Sequence, residues 1–237
     1  MVSDDSIPAS LQREIGTKCT ECGACRKACA FLAQYGSPKS IAANFDFSSS
    51  QGQAIAYECN LCGLCTAVCP EKLDPSRLFL EVRSRCVADG NLDTSAYRNI
   101  LAYEKLGHSS LFSWYGLPER CDTVFFPGCT LPGTRPTVTT ELYRQLQEII
   151  PTVGLVLDCC SKPSHDLGRT EYFHGIFDEM NSYLTDQGVR SVLTACPSCT
   201  KLSGFWGLIL GVPFCTYLFG YAIRIGDKDN QFQGHPL

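Results

Sequence analysis

The 237 residues predict an α plus α/β protein, a helical N-terminal part followed by a small α/β unit, and three observations carry that reading. One cysteine motif occurs twice near the N-terminus, and the segment after its second copy has apolar residues at helical spacing. From Arg120 onward, short apolar runs alternate with amphipathic stretches, as an α/β layer requires. Three of those runs lead directly into cysteine. The expected domains are residues 1–115 and 116–237.

Taken in chain order, residues 37–50 are rich in Ser, Asn and Ala and read as a connector with a short helix around Ala42 and Ala43. Pro75–Ala88 follows as a helix, with Pro75 near its start and Leu78, Val82 and Cys86 along one face. Residues 91–115 leave room for another helix before the break at Gly116 and Pro118. Strands are predicted at Thr123–Phe126, 153–157, 191–195 and 212–217, with helices at 137–150, 171–185 and about 199–210. In an open α/β sheet, ligands gather at the carboxyl ends of strands, so cysteines distant in sequence are expected to converge on one edge.

Composition narrows the function. A chain that is 44% hydrophobic and 19% charged folds as an ordinary globular protein. Its net charge of -4 provides no basic excess to neutralise a phosphate backbone, which argues against nucleic acid as a partner. Residues 1–10 carry two acids and no apolar stretch of the secretory kind. The sixteen cysteines therefore read as metal ligands or redox thiols of a cytoplasmic protein. Residues 202–223 are uncharged and long enough to cross a membrane, but Gly204, Gly207, Gly211, Pro213 and Gly220 interrupt them. A buried helix, a turn and a strand are expected there, with membrane contact only through a partner subunit.

The duplicated motif reads CTECGACRKAC at 19–29 and CNLCGLCTAVC at 59–69. Cys19, Cys22, Cys25 and Cys29 recur as Cys59, Cys62, Cys65 and Cys69, and Gly23 recurs as Gly63. Spacing of C-x2-C-x2-C-x3-C lets three cysteines on one loop reach three corners of a 4Fe-4S cluster while the fourth serves the other cluster. The expected ligand sets are Cys19, Cys22, Cys25 and Cys69 for one cluster, and Cys59, Cys62, Cys65 and Cys29 for the second. Zinc sites favour C-x2-C pairs across a longer spacer, without the third and fourth cysteine at these offsets. The glycines leave room for backbone amides to approach cluster sulfides.

On CTECGACRKAC and CNLCGLCTAVCP, residues 10–90 resemble the α-helical ferredoxin domains of the heterodisulfide reductase C subunit. They also resemble those of the iron-sulfur subunits of fumarate reductase and succinate dehydrogenase. The resemblance implies an electron-carrying wire of two 4Fe-4S clusters.

The second half contains FFPGC, DCCSKPSHDLG and ACPSC, which place Cys129, the pair Cys159 and Cys160, and Cys196 with Cys199 after predicted strands. Through these cysteines, Gly128, Pro163 and Gly168, residues 121–225 resemble the CCG cysteine-rich domain. That domain occurs in the heterodisulfide reductase B and D subunits and in the iron-sulfur subunits of glycolate oxidase, lactate oxidation and anaerobic glycerol-3-phosphate dehydrogenase. The resemblance implies a third iron-sulfur cluster, of non-cubane 4Fe-4S type, bound by Cys129, Cys159, Cys160, Cys196 and Cys199. Zinc on four of the five, or a vicinal Cys159–Cys160 disulfide, are the alternatives. Two departures stand out: Ser161 replaces the glycine that names the motif, and the chain has one such domain where relatives carry two. A single set suits electron relay or half of a composite site.

Cys86, Cys121 and Cys215 fall outside both patterns and read as small core residues. His165 reads as a hydrogen-bonded loop residue, His108, His174 and His235 have still weaker functional cases, and Arg26 with Lys27 reads as a solvated pair. No dinucleotide fingerprint, P-loop or G-x-S-x-G is present. A redox chain without a two-electron cofactor needs a partner that has one. The expected role is electron transfer between a flavoprotein and a further acceptor within a heterodisulfide-reductase-like complex. Alternatives are thiol/disulfide reduction at the C-terminal centre, a quinone-linked respiratory iron-sulfur subunit, and a zinc-stabilised docking module on a ferredoxin.

Overall fold

In the computed structural model, which describes residues 7–202 and 215–217, the chain separates into two units. The first runs to Ala96 and also takes in Pro163–Tyr172; the second comprises Tyr97–Lys162 and the chain from Phe173 on.

Short helices build the first unit: α1 (Ile7–Lys18), α2 (Ala24–Ala28), α3 (Ala30–Tyr35), α4 (Pro38–Asn44), α5 (Ser50–Ala56), α6 (Leu64–Ala67) and α7 (Pro75–Ala88). The predicted connector at 37–50 holds more helix than its composition suggested, because two of its serines act as caps. Ser37 accepts the Ser40 amide with Pro38 in the first turn of α4, and Ser49 accepts the Gly52 amide at the start of α5. The expected helix Pro75–Ala88 is present as α7, capped by Asp74, whose carboxylate accepts from the Arg77 amide. It buries Leu78, Phe79, Val82 and Cys86. Phe79 packs edge-on against Phe31 and Phe47 at centroid distances of 5.2 and 6.2 Å, inside a core that includes Ile15, Leu32, Ile41 and Leu61.

The second unit carries the sheet. Helix α8 (Arg98–Gly107) precedes strand β1 (Trp114–Gly116), β2 (Thr123–Phe126), α9 (Thr130–Thr134), α10 (Pro136–Ile149) and β3 (Gly154–Leu157). After α11 (Lys162–Asp166) come α12 (Thr170–Asp186), β4 (Ser191–Thr194) and β5 (Cys215–Tyr217). The strand order is β1-β3-β2-β4-β5, with β1 antiparallel to β3 and the other pairings parallel. Val124, Phe126 and Val156 join Phe173, Phe177 and Leu184 of α12 in the core. The helices expected at 137–150 and 171–185 are α10 and α12 within a residue at each end. Strand β1 was not predicted: Trp-Tyr-Gly is too short to show alternation, and pairing with β3 creates it.

Residues 197–202 are helical, and the rest of the helix expected at about 199–210 lies outside the described residues, as does most of 202–223. Among the described residues, no helix is long and apolar enough to cross a membrane.

Candidate iron-sulfur sites

The two N-terminal motifs repeat in conformation as well as in sequence. Glu21 and Leu61, each two residues after the first cysteine of its motif, hold φ of 55° and 49°, and Gly23 and Gly63 follow at 78° and 76°. Each glycine caps a very short helix, α2 or α6, that carries the third cysteine, Cys25 or Cys65. This left-handed turn folds the loop back between the second and third cysteines.

Cys19, Cys22 and Cys25 line one cavity together with Cys69, the last cysteine of the other motif, and Cys65 also reaches its wall. At the second motif, Cys59 lies close enough to Cys29 and Cys62 for their charges to raise its pKa, and Cys65 feels Cys59 likewise. Cys69 thus shares a cavity with the first three cysteines of the other motif, and Cys29 lies near Cys59. Burial raises the thiol pKa of Cys25 and Cys59 and pushes Cys65 up to about 11. A bound metal must displace those protons, because only the thiolate ligates. The Leu61 amide donates to the Cys59 sulfur at 3.4 Å, the kind of contact that stabilises a ligated thiolate. Cys22 and Cys62, the second cysteine of each motif, are exposed, while the other six are half-buried.

A buried cation stands beside the second motif. Arg83 of α7 is 4% exposed and donates from Nε and Nη2 to the Ala56 carbonyl at 3.0 and 2.7 Å. It also donates to the carbonyls of Cys59 and Asp166, and its guanidinium lies 5.1 Å from the Tyr57 ring centroid. Gly168 comes so close to Arg83 that a Cβ there would sit 2.4 Å from the Arg83 carbonyl carbon. Sequence reading missed Arg83 altogether; a lone arginine amid α7's apolar face was the available signal.

In the second unit, parallel pairing puts the carboxyl ends of β2, β3 and β4 on one edge, and the cysteines follow those ends. Cys129 comes three residues after β2, Cys159 and Cys160 two and three after β3, and Cys196 two after β4. The Cys159 thiol hydrogen-bonds to Cys129 and holds its pKa down to about 6, while Cys159 itself is raised by that bond. Cys199 hydrogen-bonds to Cys160 and Cys196, which lowers Cys196 to about 5 and raises Cys199. Cys129 also feels the charge of Cys196, so all five thiols belong to one group. Gly128, at φ 79°, permits this approach: a Cβ there would lie 3.1 Å from the Cys199 sulfur.

Around the vicinal pair runs a polar network that sequence reading did not anticipate. His108 caps the end of α8 and bonds through Nδ1 to Asp158 Oδ1 and through Nε2 to Ser161 Oγ, both at 2.7 Å. Tyr115 donates to Asp158 Oδ2 at 2.5 Å, and the Cys159 amide donates to Oδ1 at 2.6 Å. Burial and the Asp158 carboxylate push the Tyr115 phenol far above its usual range. Among the residues set aside, Cys86 and Cys121 are buried as expected, and His165 bonds to Asp166 at 2.9 Å. Arg26 and Lys27 lie exposed at the end of α2. His235 lies outside the described residues.

The donor set and its geometry suit iron-sulfur clusters: thiolates on paired loops around a shared cavity, with an amide aimed at sulfur. Among the described residues, no three His, Cys, Asp or Glu side chains gather at the spacing of a single metal ion. Residues 18–74 match the family model of the 4Fe-4S dicluster domain. The chain thus includes an iron-sulfur region of electron-transfer type. No curated protein and no solved structure matches the chain.

Proposed function

We propose that the chain is the iron-sulfur electron-transfer subunit of a heterodisulfide-reductase-like oxidoreductase complex, relaying electrons between a flavoprotein partner and a further acceptor. The observation that carries this reading is the dicluster match over residues 18–74, joined to the cavity that Cys19, Cys22 and Cys25 share with Cys69.

Cys19, Cys22, Cys25 and Cys69 hold one 4Fe-4S cluster, and Cys59, Cys62, Cys65 and Cys29 hold the second. Bound there, such clusters supply one-electron oxidation and reduction. The protein's part is to fix their spacing, exclude water from the half-buried ligands and leave Cys22 and Cys62 at the surface, where a partner's redox centre can approach. Cys129, Cys159, Cys160, Cys196 and Cys199 form a third metal site. Their mutual hydrogen bonding and their place beyond parallel strand ends support thiolate ligation of a further iron-sulfur cluster, with zinc the alternative occupant.

Anaerobic affinity purification of the tagged chain from its native cells tests the partner. The expected result is a co-purified flavoprotein whose reduction brings up electron paramagnetic resonance signals from the chain's clusters. A chain that purifies without flavin, and whose clusters stay oxidised when cell extract and reduced pyridine nucleotide are added, overturns the relay assignment.

A further inference from the structure

Ser161 is the residue through which this chain departs from the motif it resembles, and the structure shows what the departure requires. It holds φ of 54°, a conformation that glycine adopts freely and a serine adopts only under constraint. Its side chain is fully buried, and its hydroxyl meets His108 Nε2 at 2.7 Å. His108 is in turn held by Asp158, which also receives the Tyr115 hydroxyl and the Cys159 amide. With the carboxylate accepting, Nδ1 donates to Asp158, and Nε2 pairs with the Ser161 hydroxyl. Residues 158–161 are thereby fastened at both ends: Asp158 and Ser161 grip the same imidazole, with the two cysteines between them.

The consequence is visible in where those cysteines turn. Cys159 bonds to Cys129, and Cys160 bonds to Cys199, which itself bonds to Cys196. One vicinal pair thus serves as the bridge between the cysteine after β2 and those after β4. That split depends on the tight turn at Ser161. His108 reaches it because α8 ends against the pair: a Cβ on Gly107 would lie 3.0 Å from the Cys159 Cβ.

We propose that His108, with Asp158 and Tyr115 behind it, is a positioning residue that locks the Cys159–Cys160–Ser161 turn and so assembles the five-cysteine centre. The lock rests on reading that centre as a metal site, and it takes the place that a glycine's freedom fills in the motif. A histidine that orients a ligand loop in this way acts on metal retention through the cysteines and touches no substrate. Replacing the outer partners of metal ligands commonly weakens metal binding about 10-fold to 100-fold.

The test compares four full-length proteins purified anaerobically: wild type, His108→Ala, Ser161→Gly and the double variant. Each is measured for total metal, for electron paramagnetic resonance signals, and for alkylation rates of Cys159 and Cys160 by peptide mass spectrometry. The N-terminal iron serves as the internal control for folding. The expected result is that H108A loses the C-terminal metal at least about 10-fold faster to chelator. In the double variant glycine needs no hydroxyl partner, so retention should return toward wild type. If H108A keeps its metal and spectrum, or if S161G brings no recovery, the lock is refuted. A wild-type protein with no C-terminal metal refutes the metal-site reading instead. The lock is then judged by alkylation alone: H108A must react faster at Cys159 and Cys160, and the double variant must slow again, whereas equal rates in all four proteins overturn it.

Discussion

Replacing Arg83 should change the potential of the cluster held by the second motif while leaving the first nearly untouched. The guanidinium is 4% exposed and donates to the Cys59 carbonyl, and its charge opposes part of the rise that burial imposes on the Cys59 thiol pKa. Reduction adds negative charge to a cluster, so a buried cation nearby favours the reduced form. A unit charge acting over roughly 9 Å at an effective dielectric near 20 contributes about 2 kcal/mol. For a one-electron couple, at about 59 mV per tenfold, that is about 80 mV. Solvent at the exposed Cys62 screens part of it, so R83Q should lower the potential by tens of millivolts, with ~80 mV as the ceiling. R83K, which keeps the charge but loses the planar fork, should fall between R83Q and wild type. Anaerobic redox titration followed by electron paramagnetic resonance gives both potentials in one sample. Equal potentials in R83Q and wild type, with both clusters intact, would refute the electrostatic role; equal shifts in both clusters would refute its local reach.

Three further outcomes follow from the same geometry. Cys69→Ser should weaken the cluster of Cys19, Cys22 and Cys25, and Cys29→Ser that of Cys59, Cys62 and Cys65; loss confined to each cysteine's own motif would contradict the exchanged ligands. Gly168→Ala puts a Cβ 2.4 Å from the Arg83 carbonyl carbon at a φ of 79°, so it should cost about 2 kcal/mol or more, read as an earlier thermal melt by circular dichroism. Chelating the iron should remove a small part of the far-ultraviolet helical signal, because α2, α3 and α6 have only 5, 6 and 4 residues and helices that short do not stand without support.

What the sequence disclosed depended on how local each signal was. The N-terminal cysteines stand within eleven-residue motifs whose spacing is itself the chemical signal, so the loops were legible, and Cys69 lines one cavity with Cys19, Cys22 and Cys25. Strands β2, β3 and β4 announced themselves as apolar runs ending in cysteine, and their parallel pairing accounts for the gathering of five thiols. Illegible features joined distant residues. His108 was ranked among the weakest histidines because its partners Asp158 and Ser161 lie 50 and 53 positions away, and Arg83 meets Asp166 across 83. Ser161 stands in the sequence only as a replaced glycine; the structure shows a left-handed turn fastened from the side chain. The serines of 37–50 suggested a connector, since composition alone does not separate a serine that caps a helix from one in a loop.

The chain is expected to carry 4Fe-4S clusters on its paired motifs and a further metal on its five C-terminal cysteines. Iron, zinc and acid-labile sulfide analysis of the anaerobically purified protein, with electron paramagnetic resonance of its oxidised and reduced states, tests it most directly. About twelve irons per chain are expected, with a signal beyond those of two reduced cubanes, or about eight irons with one zinc if the C-terminal centre takes the alternative ion. In freshly purified, folded protein, about eight irons with no zinc would contradict the C-terminal metal, and about four irons or fewer would contradict the paired clusters.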